Sequence, residues 1–109
     1  MLPPLPKTVP SLLGPLKVRQ VKKVDKEDSF GKCFPETRTI RIKKGMDLNQ
    51  AWHTLRHEWF HFVFFDNGIH TRLAALEALP EGQDFEEHLC DVLATAMVSE
   101  MLAHSPSSP

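Results

Sequence analysis

The sequence predicts an α+β domain, and three observations carry the prediction. Residues 16–24 and 37–43 alternate apolar and polar side chains, the period of two expected of strands. Residues 47–66 and 84–103 repeat apolar residues at steps of three and four, the period of helices. The strand-like stretches precede the helix-like ones, which implies an antiparallel sheet of two to three strands beside the helices.

In chain order, residues 1–15 are punctuated by Pro3, Pro4, Pro6, Pro10 and Pro15 and lack periodicity, so they read as a flexible arm. Residues 16–24 alternate at Leu16 and Val18, then change phase at Gln20 before Val21 and Val24. That break predicts a bulge or an edge strand. A polar turn follows from Asp25 to Gly31. Cys33 and Phe34 form a short strand stopped by Pro35. Residues 37–43 place Ile40 and Ile42 on one face and Arg41 and Lys43 on the other, the pattern of a half-buried strand.

Asp47 is a helix N-cap, with Gln50 completing a capping box. Leu48, Ala51, Trp52, Leu55, Trp59, Phe62 and Val63 continue that helix to about Asp66. Asn67-Gly68 ends it. Residues 71–79 suit a short helix closed by Pro80. Asp84 with Glu87 repeats the capping pattern. A last helix carries Phe85, Leu89, Leu93, Met97 and Met101 along one side as far as Ala103. Residues 16–104 thus form one domain, and 105–109 a disordered tail.

The 109 residues are ordinary in composition, with 41% hydrophobic and 25% charged side chains. No stretch approaches the ~20 apolar residues of a membrane span. Two cysteines, Cys33 and Cys90, make no disulfide framework and read as free thiols in a cytoplasm, with a single bridge between them left open. No signal-peptide pattern marks the start.

The net charge of −1 conceals a division. Residues 1–46 hold eleven basic and four acidic side chains; residues 47–109 hold two basic, ten acidic and all six histidines. Basic residues between 17 and 44 could meet nucleic acid. The favoured reading is internal, with a basic layer packed beside an acidic one.

The chemistry lies in His57-Glu58-Trp59-Phe60-His61. Residues four apart share a helix face, so both imidazoles can ligate one ion. Glu58 sits at the rim of that face, where a carboxylate can act as general base on a zinc-bound water. A catalytic Zn²⁺ needs a third protein ligand. Glu87 is the choice, with Asp91 one turn on to accept a hydrogen bond from the free ring nitrogen of a ligating histidine. His70 is an alternative third ligand. His53, one turn before His57, reads either as a cleft residue or as structure, and His53, His70 or Arg72 could polarise a carbonyl. The strand at Thr39–Lys43 could be an edge beside the metal that pairs with an extended substrate.

An HExxH helix followed by a helix carrying Glu87-His88-Leu89-Cys90-Asp91 resembles the gluzincin metallopeptidases. The preceding strands and the run EEHLCDVLATAM are similar to the small phage and bacterial ImmA/IrrE-like peptidase group, over roughly residues 37–102. The second motif departs from the group's Phe-Ala, having Leu93-Ala94, which leaves Glu86 as a rival to Glu87. The resemblance implies an α+β fold, a zinc-dependent endopeptidase, a protein or peptide substrate, and a bacterial cytoplasm, phage-encoded or not. The rival reading is a zinc-stabilised module without catalysis that binds protein or nucleic acid through its basic part.

Overall fold

The computed structural model describes residues 2–69 and 85–104. In order come β1 (Thr8–Val9), β2 (Leu16–Val21), β3 (Gly31–Phe34), a 3₁₀ turn (Pro35–Thr37), β4 (Thr39–Lys43), α1 (Leu48–Asp66) and α2 (Phe85–Ala103). The architecture is α+β, with a larger sheet than the alternation predicts. Four strands lie in the order β1-β2-β4-β3, and the sheet is mixed. β1 pairs antiparallel with β2, and β3 antiparallel with β4, whereas β2 and β4 run parallel.

The correction has a physical cause. Alternation identifies a strand but not its neighbour. The loop at 22–30 is long enough to carry the chain past the place β4 will take, so β3 forms the far edge and β4 fills the gap. Asp25 shapes that loop, accepting hydrogen bonds from the Glu27 and Ser29 amides at 3.1 and 3.0 Å and from the Ser29 hydroxyl at 2.8 Å. Thr39–Lys43 is therefore an interior strand, not an edge. The bulge expected at Gln20 is also absent, because β2 and β4 stay in register from Lys17↔Thr39 to Val21↔Lys43.

α1 lies across the inner face of the sheet. Asp47 caps it, accepting from the Gln50 amide at 2.9 Å, and Gly68 leaves it at φ 75°. Leu16, Val18, Ile40 and Ile42 from the sheet meet Trp52, Leu55 and Phe62 of α1 in one core, and Val98 of α2 joins them. α2 packs on α1 through a second apolar cluster of Phe64 and Cys90, with Phe60, Leu89 and Leu93 around it. Both cysteines are free thiols. No helix among the described residues is long and apolar enough to cross a membrane.

The segment expected as an arm lies against the domain. Leu2 and Val9 are buried. The Trp52 and Trp59 indoles donate to the Pro3 and Pro10 carbonyls at 2.7 and 2.8 Å. A proline-rich chain has few N–H groups to satisfy, so its carbonyls are what a neighbouring donor can use. The expected helix at 71–79 and the tail at 105–109 lie outside the described residues.

Asp66 ties three segments together at the end of α1. Its carboxylate takes two hydrogen bonds from the Arg38 guanidinium, at 3.1 and 2.9 Å, and others from the Ser11 hydroxyl and the Leu13 amide. Arg38 also donates to the Gly14 carbonyl at 2.9 Å. These donors, Arg38 first, hold the Asp66 carboxyl down at about 2.

Because the folded pKa is depressed below the ordinary 3.8, the stabilisation is complete above that value. It is lost as pH falls through the folded pKa. Asp66→Asn should cost about 2–4 kcal/mol in urea unfolding at pH 7. It should also flatten the loss of stability between about pH 5 and pH 2 that the parent chain shows. A variant that keeps the full acid dependence would remove this role.

A second test concerns the place where β3 presses on α1. A Cβ built on Gly31 would lie 2.5 Å from the Thr54 methyl. Gly31→Val should therefore destabilise by about 1–3 kcal/mol in the same assay.

Candidate metal centre

α1 and α2 cross antiparallel, and a ladder of polar pairs runs along their seam. His53 Nε2 lies 3.1 Å from the Thr95 hydroxyl. His57 Nδ1 lies 2.6 Å from Asp91 Oδ1. His61 Nδ1 lies 2.7 Å from Glu86 Oε2. Each step of four forward on α1 meets a step of about four back on α2, as one helical turn on each requires.

Carboxylates lie against both nitrogens of each ring, Asp91 and Glu86 at Nδ1 and Glu87 at Nε2. With a cation between the Nε2 atoms and Glu87, each ring would donate its Nδ1–H to Asp91 or Glu86 and turn a lone pair inward. The two Nε2 atoms are 3.2 Å apart. Glu87 closes the triangle, with Oε2 3.0 Å from His57 Nε2 and Oε1 2.7 Å from His61 Nε2. His57, His61 and Glu87 can offer one ligand atom each, all within 4.8 Å of one another.

Three acceptors converging at this distance repel unless a cation lies among them. Two atoms 2.0–2.1 Å from one zinc ion at a tetrahedral angle lie about 3.3 Å apart, close to the spacing found here. Protons could substitute, but two would be needed to satisfy both nitrogens against Glu87. The donor set therefore fits a divalent metal of zinc type, with two neutral imidazoles, one carboxylate and a side left open.

Sequence reasoning placed His57, His61, Glu87 and Asp91 in one cluster, and the fold brings all four together. It offered Glu86 as a rival ligand. The structure instead turns Glu86, nearly buried, to the outer nitrogen of His61, in the same relation that Asp91 has to His57. The readable signal was the spacing, since Glu86 and Asp91 bracket Glu87 by one residue and by one turn. His53 belongs to the seam and does not line the cleft beside the metal cluster. His70 and Arg72 lie outside the described residues.

Glu58 faces the other side of His61. It is 9% exposed, and burial pushes its carboxyl upward, while the two histidines pull it back. The Cys33 thiol donates to the Glu58 backbone carbonyl at 3.1 Å and sits 3.9 Å from the carboxylate. Burial first, then the Glu58 charge, pushes that thiol far above its ordinary value, so Cys33 stays protonated. Cys90, on the α2 side, is pushed up to about 12 by the same causes of burial and neighbouring carboxylates. Neither thiol is poised as a metal ligand.

A cleft of about 310 Å³ opens beside the cluster. Lys32 and Cys33 of β3 and Pro35 form one wall, Glu58, His61, Phe62 and Phe65 of α1 the floor, and Glu86 and Glu87 the other wall. Lys32 is the one cation among these lining residues. Comparison with known protein families, curated proteins and solved structures finds no match.

Protein purified without chelator should contain about one zinc per chain by elemental analysis. His57→Ala should lose it. Asp91→Asn and Glu86→Gln should keep the site but weaken zinc binding about 10–100-fold in chelator competition, because each removes the partner that orients a ligand. Equal affinity in these two variants would show that the carboxylates do not support the imidazoles.

Proposed function

We propose that this protein is a zinc-dependent peptidase of the gluzincin kind. The observation that carries the reading is the placement of Glu58 on the floor of the cleft, one residue from His57 and beside His61, while all three ligand atoms converge at its edge. Zinc held there supplies a Lewis acid for a carbonyl oxygen and lowers the pKa of water. The resemblance of the HExxH helix and the glutamate-bearing helix to that group supports the same reading.

The chain's own residues do the rest. Asp91 and Glu86 keep the two Nε2 atoms free of protons and aimed at one point. Glu58, raised by burial, is suited to take a proton from water in the cleft and return it to the leaving amine. The thiol of Cys33 fixes the backbone of that residue.

Substrate pairing moves from Thr39–Lys43 to β3, because β3 is the sheet edge that borders the cleft. An extended peptide can add to such an edge through backbone hydrogen bonds. Phe65, half exposed, offers an apolar surface to one of its side chains.

Glu58→Gln keeps the shape and removes the base. It should retain one zinc per chain and lose at least about 100-fold in hydrolysis of a fluorescent casein or a mixed peptide library read by mass spectrometry. A zinc-loaded parent chain that cleaves none of these probes, or a variant as active as the parent, favours the non-catalytic zinc module.

A further inference from the structure

The face of the sheet turned away from α1 carries a second, separate chemistry. Alternation sends Leu16, Val18, Ile40 and Ile42 into the core, so Lys17, Arg19, Arg41 and Lys43 stand on the opposite face. On β3, Cys33 turns inward to Glu58, which leaves Lys32 and Phe34 on that same outer face. The register then sets Arg19 directly opposite Arg41, and Arg41 directly opposite Lys32. Three cations lie side by side on three neighbouring strands, about 4.8 Å from strand to strand. Lys17 lies two residues along β2 from Arg19.

Like charges directly opposite one another destabilise a sheet. No strand of the four contains a carboxylate to offset them. Lys43 pairs with Asp28 at 2.9 Å, and Lys32, largely exposed, with Asp25 at 3.9 Å, both at the loop end of the sheet. Among the described residues Lys17 and Arg19 form no ion pair. Arg41 lies over the Phe34 ring, 4.3 Å from its centroid. Among the described residues, Arg38–Asp66 is the ion pair that joins the basic part of the chain to the acidic part, so the cations of this face are not neutralised by it. Among the described elements, α1 packs on the other side of this sheet and α2 on α1, so neither helix covers the cationic face.

We infer that this face binds single-stranded nucleic acid. A row of guanidinium and ammonium groups with a planar Arg41–Phe34 pair beside it matches a phosphate backbone and a stacked base. Among the described residues no helix or ribbon projects from this face into a duplex groove, which favours an unpaired strand. Anionic membranes suit it less, since Phe34 and Val21 alone offer apolar surface there. Apart from Lys32, whose edge strand also borders the cleft, the site is on the opposite side of the sheet from the metal cluster, so it stands whether or not the peptidase reading does.

Fluorescence anisotropy of a labelled oligothymidylate, with the full chain and salt varied from about 50 to 200 mM, tests the assignment. Four phosphate contacts predict a slope of log affinity against log salt of about −2 to −3. Each contact is worth about fivefold at 0.1 M salt, so Arg19→Gln/Lys32→Gln/Arg41→Gln should weaken binding about 100-fold. Lys22→Gln/Lys26→Gln/Lys44→Gln changes net charge equally but lies in loops, and should weaken it by no more than about threefold.

The first triple relieves like-charge contacts, so its urea midpoint should not fall. Lys17→Gln alone, about fivefold weaker, is the check should that triple not fold. Equal losses in both triples, no binding at about 50 mM salt, or tighter binding to duplex, to polyglutamate or to phosphatidylserine vesicles would each overturn the assignment.

Discussion

Two imidazole nitrogens about three ångströms apart beside a carboxylate need a cation or protons between them. The described part of α2 brings its carboxylates to that point. Asp91 and Glu86 hold the outer nitrogens of His57 and His61 at 2.6 and 2.7 Å. Glu87 comes in from the same helix to share the inner ones. Without a cation the seam gathers Glu58, Glu86, Glu87 and Asp91 around two neutral rings. Such an excess of negative charge in a partly buried place is costly. A metal held there would therefore couple its binding to the docking of α2 on α1, as in other small domains where ligand geometry does not survive unfolding.

The rest of the structure positions α1 so that this can happen. Apolar side chains of the sheet fix one side of the helix. Arg38 and the turn at Ser11–Gly14 fix its end through Asp66. The carboxylate lies near a helix C-terminus, where the macrodipole disfavours it, so its stability depends wholly on the donors brought to it. The same Arg38 residue adopts φ 49°, an unusual conformation for a side chain other than glycine, at the end of the turn linking β3 to β4. That turn sets the wall of the cleft, since Pro35 lines it. The distant knot and the metal cleft are consequently joined through one short piece of backbone.

Much of this was legible in the residues, and what was not has a definite cause. The caps at Asp47 and Gly68 and the three-and-four spacing marked both ends of α1, because these are local signals. His57, Glu58 and His61 share one face by helical geometry alone. The place of Glu86 was hidden, since neighbouring glutamates look alike until the crossing of two helices sets one between the two inner nitrogens and the other at an outer one. Strand order was hidden for the same reason. Nothing in TRTIRIK says that β2 will lie on one side of it in parallel and β3 on the other, so an interior strand read as an edge. The proline-rich start showed no periodicity, yet its carbonyls satisfy Trp52 and Trp59, whose partners lie forty-nine residues away in sequence. Sequence periodicity cannot report a contact of that range.

The division of charge along the chain becomes a division in space. Lys17, Arg19, Lys32, Arg41 and Lys43 of the first part stand on the outer face of the sheet, and Glu58, Glu86, Glu87 and Asp91 of the second part gather along the α1–α2 seam. Had the two sets been meant to neutralise each other, the alternation of β2 and β4 would have turned the cations toward the helices, and it turns them away. A one-residue slip in either strand would reverse this by burying Arg19 or Arg41 and exposing Val18 or Ile40, so the hydrophobic pattern enforces it strongly. The core that holds α1 in place for the metal cluster is thus the same constraint that keeps a row of cations in water on the far side. Neither chemistry can be altered at the level of strand register without losing the other.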